Sequence, residues 1–133
     1  RTFECKKTGY SLCEGQLRHR SGSDGFEFPV LADYCVITDE KNVIYATHGH
    51  HFNEDNLPPL HKGDILLNGH THVPKCVEHP DYIYMNPGSV SIPKEESWHG
   101  YMIYENGGFL WKNLQGIEQM FYDMRILERI VGV

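Results

Sequence analysis

Short apolar runs separated by turn-forming residues recur along this chain, and most of them have the length of a β-strand. They are rich in β-branched and aromatic side chains and are bounded by Gly, Pro, Asn or Asp, which predicts strands. Before residue 90 the pattern predicts four of them, over Tyr34–Ile37, Val43–Ala46, Ile65–Leu67 and Tyr82–Met85. The Asp39–Asn42 turn predicts that the first two form a hairpin. Two prolines limit the Asn53–Leu60 stretch to a loop or a short helix.

The last third of the chain contains a second hairpin pattern. Tyr101–Tyr104 and Phe109–Lys112 flank Glu105-Asn106-Gly107-Gly108, and an Asn-Gly pair between alternating apolar residues predicts a two-residue hairpin loop. The tail after Gly116 fits two patterns. A helical stripe would use Ile117, Met120, Phe121, Met124, Leu127 and Val131, whereas a strand would use the alternating Met120, Tyr122 and Met124. We favour a strand to about Arg125.

The predicted strands leave little room for helices, which would be unusual for a complete α/β domain. The pattern is typical of the C-terminal half of a strand-rich, two-sheet α/β sandwich. A chain of 133 residues is long enough for one domain with a core. Residues 1–25 differ from the rest, because Arg18–Gly25 is polar and has neither helical nor strand periodicity. We interpret 1–25 as an atypical leader and 26–133 as part of a single domain.

Composition and charge exclude several classes of function. The formal net charge is −6, which argues against general nucleic-acid binding and against binding to anionic membranes. No apolar run approaches the roughly 20 residues needed to span a bilayer. The N-terminal residues lack the apolar stretch of a signal peptide, and the four cysteines show no C-x-x-C spacing. These features predict a protein of the reducing cytoplasm.

Histidines gather just after two of the predicted strands. Thr47-His48-Gly49-His50 follows Val43–Ala46, and Gly69-His70-Thr71-His72 follows Ile65–Leu67. Polar residues past the ends of buried strands lie where α/β folds place their chemistry, and imidazole is the commonest metal ligand. In an extended backbone, residues i and i+2 point to the same side, so each pair could face one cavity. Unrelated surface histidines are the alternative. A structural zinc site is disfavoured because no cysteine adjoins either pair.

These motifs carry a family resemblance. Thr47-His48-Gly49-His50, Gly69-His70-Thr71-His72 and Asn86-Pro87-Gly88-Ser89 resemble, in this order, the closing motifs of calcineurin-like metallophosphoesterases. The small bacterial YfcE-like phosphodiesterases are the most similar subfamily, and the resemblance covers roughly Phe28 to Gly116. It implies that residues 26–133 are the C-terminal part of a single metallophosphoesterase domain.

The resemblance also implies a dinuclear metal site and a reaction. His48 and His70 would bind one divalent metal, His72 the other, and His50 would contact the phosphate as a catalytic residue. A water bridging the two metals would attack a small phosphodiester substrate. Manganese is the expected metal, with zinc, iron or nickel as alternatives. Asn86 would support a ligand loop. A homo-oligomer is left open.

The family's earlier motifs, D-x-H, G-D-x-x and G-N-C-D, do not occur in this chain. They supply carboxylates that neutralise the repulsion between two dications, so three histidines alone should not hold two metals. One choice of codons for residues 13–25, read one nucleotide later, gives V-R-G-N-C-D-T-E-V-D-Q-M, which is similar to the third missing motif. We therefore expect residues 1–25 to be an out-of-frame translation. The competing interpretation is a non-catalytic scaffold, as in the retromer subunit of the same fold.

Overall fold

The structure is a computed structural model, and it describes residues 33–39 and 42–125. The atypical leader predicted over 1–25 lies outside the described residues. The described part of the chain contains eight strands: β1 Tyr34–Asp39, β2 Asn42–Thr47, β3 Asp64–Asn68, β4 Lys75–Glu78, β5 Tyr82–Asn86, β6 Gly100–Glu105, β7 Gly108–Asn113 and β8 Glu118–Asp123. None of its helical segments is long and apolar enough to cross a membrane.

Five strands form the first sheet, in the order β1-β2-β3-β5-β4. β1 and β2 are the predicted antiparallel hairpin, while β2, β3 and β5 run parallel to one another. The central strand, β3, is buried at four of its five positions, which matches its nearly continuous apolar sequence. β4 pairs antiparallel with the outer edge of β5. The parallel trio decides where the histidines lie, because parallel strands end at the same edge of a sheet.

The second sheet contains three antiparallel strands in the order β6-β7-β8. The predicted hairpin loop joins β6 to β7. Asn106 has φ 51° and Gly107 has φ 78°, so both central residues adopt the left-handed conformation that Asn and Gly tolerate best. The strand interpretation of the tail is confirmed, because β8 covers Glu118–Asp123. The helical stripe proposed as its alternative is wrong over these residues.

The core lies between the two sheets. Buried side chains from both sheets meet there, namely Ile44, Ile65, Ile83 and Met85 from the first and Phe109 and Trp111 from the second. Half-buried side chains such as Met102, Met120 and Tyr122 close the edges of this layer. Burial of such large apolar side chains contributes roughly 1.5–3 kcal/mol each. The predicted two-sheet sandwich is confirmed.

One strand differs from the sequence predictions, and of the two alternatives for Asn53–Leu60 the structure shows the loop. β4 was not predicted, because Lys75-Cys76-Val77-Glu78 has only two apolar residues between charged ones. The connection from β2 to β3 contains no helix around Asn53–Leu60 and is a series of bends. Pro58 is buried in this connection while its neighbours are mostly exposed. The connection therefore leaves the histidine-bearing end of β2 and returns to the start of β3 as a loop.

Candidate active site

Both histidine motifs begin at one edge of the first sheet. The parallel register pairs Thr47 at the end of β2 with Asn68 at the end of β3, and β5 ends beside them at Asn86. His48 therefore starts one loop, and Gly69 starts the neighbouring one. The juxtaposition expected from the sequence follows from the parallel pairing of β2 and β3.

Backbone hydrogen bonds join the two loops directly. The carbonyl oxygen of His48 accepts from the amide of His70 at 2.9 Å and from that of Gly69 at 3.2 Å. Gly49, the next residue, has φ +108°, and a Cβ placed on it would lie 2.9 Å from the Cβ of His70. Only glycine allows this conformation and this close approach. The glycine between the two histidines of the first motif thus lets the second motif come close.

The rings of His48 and His70 are in direct contact. Nε2 of His48 lies 3.1 Å from Nδ1 of His70, and the ring centroids are 5.0 Å apart at 76°. The ring of His50 lies 5.3 Å from that of His48. Burial lowers the pKa of His48 below its ordinary value of 6.5, and His70, His50 and His72 lower it further. The cluster therefore favours a neutral His48, which is the protonation state that can bind a metal.

His72 reaches the site by a turn and not along an extended strand. Its amide donates to the carbonyl of Gly69 at 3.0 Å, and its φ of 62° is left-handed. The expectation that His70 and His72 alternate on one side of an extended backbone is therefore wrong. Nδ1 of His72 donates to the carbonyl oxygen of Ile92 at 2.8 Å. That bond makes Nε2 the acceptor nitrogen of the ring, which is the form a metal ligand requires.

Hydrogen bonds from Asn53 and Asn56 stabilise the loop that carries His50 and His51. The Asn53 side chain donates to the carbonyl of Gly49 and accepts from the amides of Asp55 and Asn56. Asn56 in turn donates to the carbonyl of His51 at 2.9 Å. Both imidazoles are exposed. The sequence analysis did not single out Asn53, although an Asn followed by two polar residues is a typical local turn former.

Asn86 bonds to the second histidine motif. Its side-chain nitrogen donates to the hydroxyl of Thr71 at 3.0 Å, and its side-chain oxygen accepts from the amide of Gly88 at 2.8 Å. Thr71 lies between His70 and His72, so Asn86 contacts the turn that carries both. The expectation that Asn86 supports a ligand loop fits this geometry.

The described residues fit part of a metal site. A cation about 2.1 Å from each of two imidazole nitrogens would hold them about 3.0 Å apart at a right angle, close to the distance between His48 and His70. No three His, Cys, Asp or Glu side chains among residues 33–39 and 42–125 form a group that could hold one cation. These residues alone therefore do not make a complete metal centre.

Comparison with known protein families identifies the superfamily of this chain. Residues 18–107 match the calcineurin-like phosphoesterase superfamily domain, and this stretch is more than half of the chain. The chain belongs to the calcineurin-like phosphoesterase superfamily. All five histidines named above lie in the matched residues.

Individual phosphoesterases of this superfamily are similar to the chain over part of their length. The phosphodiesterase YfcE of Escherichia coli strain K12 is 40% identical over 79 residues, which are 59% of this chain and 43% of that protein. YfcE of E. coli O157:H7 gives the same values. The solved structure of Yfce, a phosphoesterase from E. coli, superposes with a TM-score of 0.69 at 32% identity and covers 74% of this chain and 55% of that one. The chain spans less than half the length of its curated relatives.

Proposed function

We propose that this chain carries the histidine-bearing part of the active site of a metal-dependent phosphodiesterase. The contact between His48 and His70 at the sheet edge, in a member of a phosphoesterase superfamily, is the observation that carries this proposal. The substrate class follows from the relatives named as phosphodiesterases. A small phosphodiester is the proposed substrate.

Each histidine has a proposed role that agrees with its surroundings. His48 and His70 offer two nitrogens to one cation, and His72 offers Nε2 to a second cation because its Nδ1 donates to Ile92. His50, whose ring is exposed to solvent, donates a hydrogen bond to a non-bridging phosphate oxygen of the substrate. Divalent cations, when bound, would supply the positive charge that stabilises the phosphoryl group and activates water. Manganese is the preferred candidate, and the cytoplasm is the proposed location.

The remaining ligands must come from outside the described residues. Two divalent cations a few ångströms apart repel each other strongly unless a carboxylate lies between them. We propose that the carboxylate-bearing motifs are encoded upstream of Phe26 in the alternative reading frame, where one choice of codons gives the string G-N-C-D. On this view residues 26–133 are the C-terminal part of a single metallophosphoesterase domain. Sequencing the coding DNA over codons 13–25 tests this part of the proposal directly.

Hydrolysis of an aryl phosphodiester with added manganese tests the function. The 133-residue chain and the chain obtained after correcting the frame upstream of Phe26 are compared. We expect hydrolysis by the corrected chain only. Its His70→Ala variant should hydrolyse the diester more than about 100-fold more slowly, because a metal ligand rather than a supporting residue is removed. Unchanged hydrolysis in the variant would overturn the assignment of His70.

A non-catalytic scaffold of the same fold is the second candidate. The observation that favours it is that no group of three or more His, Cys, Asp or Glu side chains within the described residues could hold a metal ion. Under this alternative neither chain would hydrolyse the diester, with or without manganese, although both would fold. The same assay therefore separates the two candidates.

A further inference from the structure

A tyrosine hydroxyl is buried beneath the histidine turn. Tyr84 lies in the middle of β5 between Ile83 and Met85 and is only 2% exposed. Its hydroxyl donates to the side-chain oxygen of Asn68 at 2.9 Å and accepts from the side-chain nitrogen of Asn86 at 3.3 Å. A buried hydroxyl is costly unless it is hydrogen-bonded, so these two partners define where Tyr84 can be accommodated.

The partners of Tyr84 are the last residues of two neighbouring strands. Asn68 ends β3 and directly precedes the Gly69–His72 turn, while Asn86 ends β5. Asn86 also donates to Thr71 within the turn at 3.0 Å. A continuous series of side-chain hydrogen bonds therefore begins just before the turn, passes through Tyr84 and ends at the middle of the turn. His70 and His72 flank that end point.

The series is anchored at both ends to the rest of the site. Nε1 of Trp111, in the second sheet, donates to the backbone carbonyl of Asn86 at 2.7 Å. The side chain of Asn68 lies against Gly49, since a Cβ on that glycine would be 3.1 Å from its Cγ. Asn68, Asn86 and Trp111 are at most 4% exposed. A buried, hydrogen-bonded network of this kind favours one arrangement of its members.

We propose that Tyr84 is a positioning residue for the histidine site. Its hydroxyl fixes Asn68 and Asn86 relative to each other, and these two hold the start and the middle of the turn that presents His70 and His72. The proposal rests on the proposed function, because the positions of these rings matter to hydrolysis only if they hold cations there. The predicted physical effect, however, concerns the ligand-free chain and is independent of activity.

Removal of the single hydroxyl tests the proposal. Tyr84→Phe is compared with Tyr82→Phe, a matched change two residues earlier on the same strand, where the described residues give the hydroxyl no hydrogen bond. Long-range proton–nitrogen correlation spectra of the histidine rings in the ligand-free chain are the readout. We expect the ring signals of His70 and His72 to shift by more than a linewidth in Tyr84→Phe and to remain in place in Tyr82→Phe.

The tautomer of His72 gives a second, sharper readout. In the parent chain the ring should show only the form protonated at Nδ1, because that nitrogen donates to Ile92. A purely structural hydroxyl would lower the urea midpoint of Tyr84→Phe but leave this tautomer and the His70 signal unchanged. Unchanged ring signals in folded Tyr84→Phe would overturn the proposal.

Thr71→Val covers the case in which Tyr84→Phe does not fold. This near-isosteric change removes the acceptor of the Asn86 side chain at an exposed position, so the sheet is not disturbed. We expect the His70 and His72 signals to shift in the same direction with a smaller amplitude, and their constancy would overturn the proposal. Ring shifts without hydrolysis by any form of the chain would contradict the proposed function and leave the positioning role intact.

Discussion

His48 and His70 belong to different loops, and their Nε2 and Nδ1 atoms lie 3.1 Å apart. The contact is built by the backbone, because the carbonyl of His48 accepts hydrogen bonds from two amides of the second loop. In the ligand-free chain one ring donates to the other. The same separation suits a shared cation, so binding would replace a proton with a metal and need little rearrangement of the loops.

Removing either ring should weaken cation binding. We expect His48→Ala and His70→Ala each to reduce the affinity for manganese at least about 10-fold, because each removes one nitrogen of a shared pair. The double variant should bind manganese about as weakly as the weaker of the two single variants. Either single substitution already removes the pair of nitrogens that shares the cation, so the second should add little. Isothermal titration calorimetry on the frame-corrected chain measures all three.

His61→Ala is the matched control for these variants. His61 is 87% exposed and pairs with Asp64 at 3.7 Å. It lies before β3, at the opposite end of that strand from the cluster. Equal losses of affinity in this control and in His70→Ala would show that the cation binds histidines non-specifically.

The close approach at Gly49 predicts a steric effect on stability. Gly49→Ala and Gly63→Ala both place a side chain at a positive φ, of +108° and +92°, which costs roughly 1–2 kcal/mol in either case. Only at Gly49 does the new Cβ meet another atom, the Cβ of His70 at 2.9 Å. We expect Gly49→Ala to lose at least about 1 kcal/mol more than Gly63→Ala in urea unfolding. Equal losses of unfolding free energy in the two variants would mean that the loops carrying Gly49 and His70 can move apart without an energetic cost.

The two tryptophans predict different consequences of the same substitution. Trp111 donates to the buried carbonyl of Asn86, whereas the buried Nε1 of Trp98 has no hydrogen-bond partner among the described residues. Trp111→Phe should leave that carbonyl without its donor, at a cost of about 1–3 kcal/mol beyond the lost volume. Trp98→Phe removes an unpaired donor and should cost less. Urea unfolding of the two variants measures the difference, which should disappear if the bond to Asn86 contributes nothing.

Cys76 should react slowly as a nucleophile. Burial, and secondarily Glu78, raise the pKa of its thiol from 9.0 to about 11. At pH 8 the reactive thiolate should therefore be about 100-fold scarcer than in a solvated cysteine. We expect iodoacetamide to modify Cys76 correspondingly slowly in the folded chain, with a rate that increases up to about pH 11. Peptide mass mapping follows the modification.

The urea-unfolded chain is the control for that reaction, because its Cys76 is solvated and titrates normally. The folded and unfolded rates should converge at high pH, where both thiols are ionised. Equal rates at pH 8 would contradict the raised pKa.

Local sequence was sufficient for most strands and for both hairpins. The Asn106-Gly107 pair supplies two left-handed residues at the hairpin loop, and this preference is local. β4 could not be predicted, because Lys75–Glu78 becomes a strand only by pairing with β5. The alternation of Cys76 and Val77 between charged ends carries little information by itself. Pairing with β5, and not the local sequence, therefore makes Lys75–Glu78 a strand.

The two histidine motifs could be located from the sequence, but the geometry of their loops could not. The family resemblance implied that His48 and His70 lie together, and the parallel pairing of β2 and β3 brings the two loops side by side. The turn at His72 depends on a bond from its amide to Gly69 and on a left-handed φ that histidine adopts rarely. The role of Tyr84 was hidden because an aromatic residue in an apolar strand is indistinguishable from a core side chain until its hydroxyl partners are known.

The side-by-side alignment of β2, β3 and β5 also limits how this architecture can change. Deleting one residue within β3 would exchange its two faces, so that Leu66 would point where Ile65 now points. Asn68 would then face the opposite side, and the loop that carries His70 and His72 would leave the sheet in the wrong direction. Insertions between the strands carry no such penalty. Over evolutionary time, we therefore expect length variation in the connections of this protein and constancy in the length of these three strands.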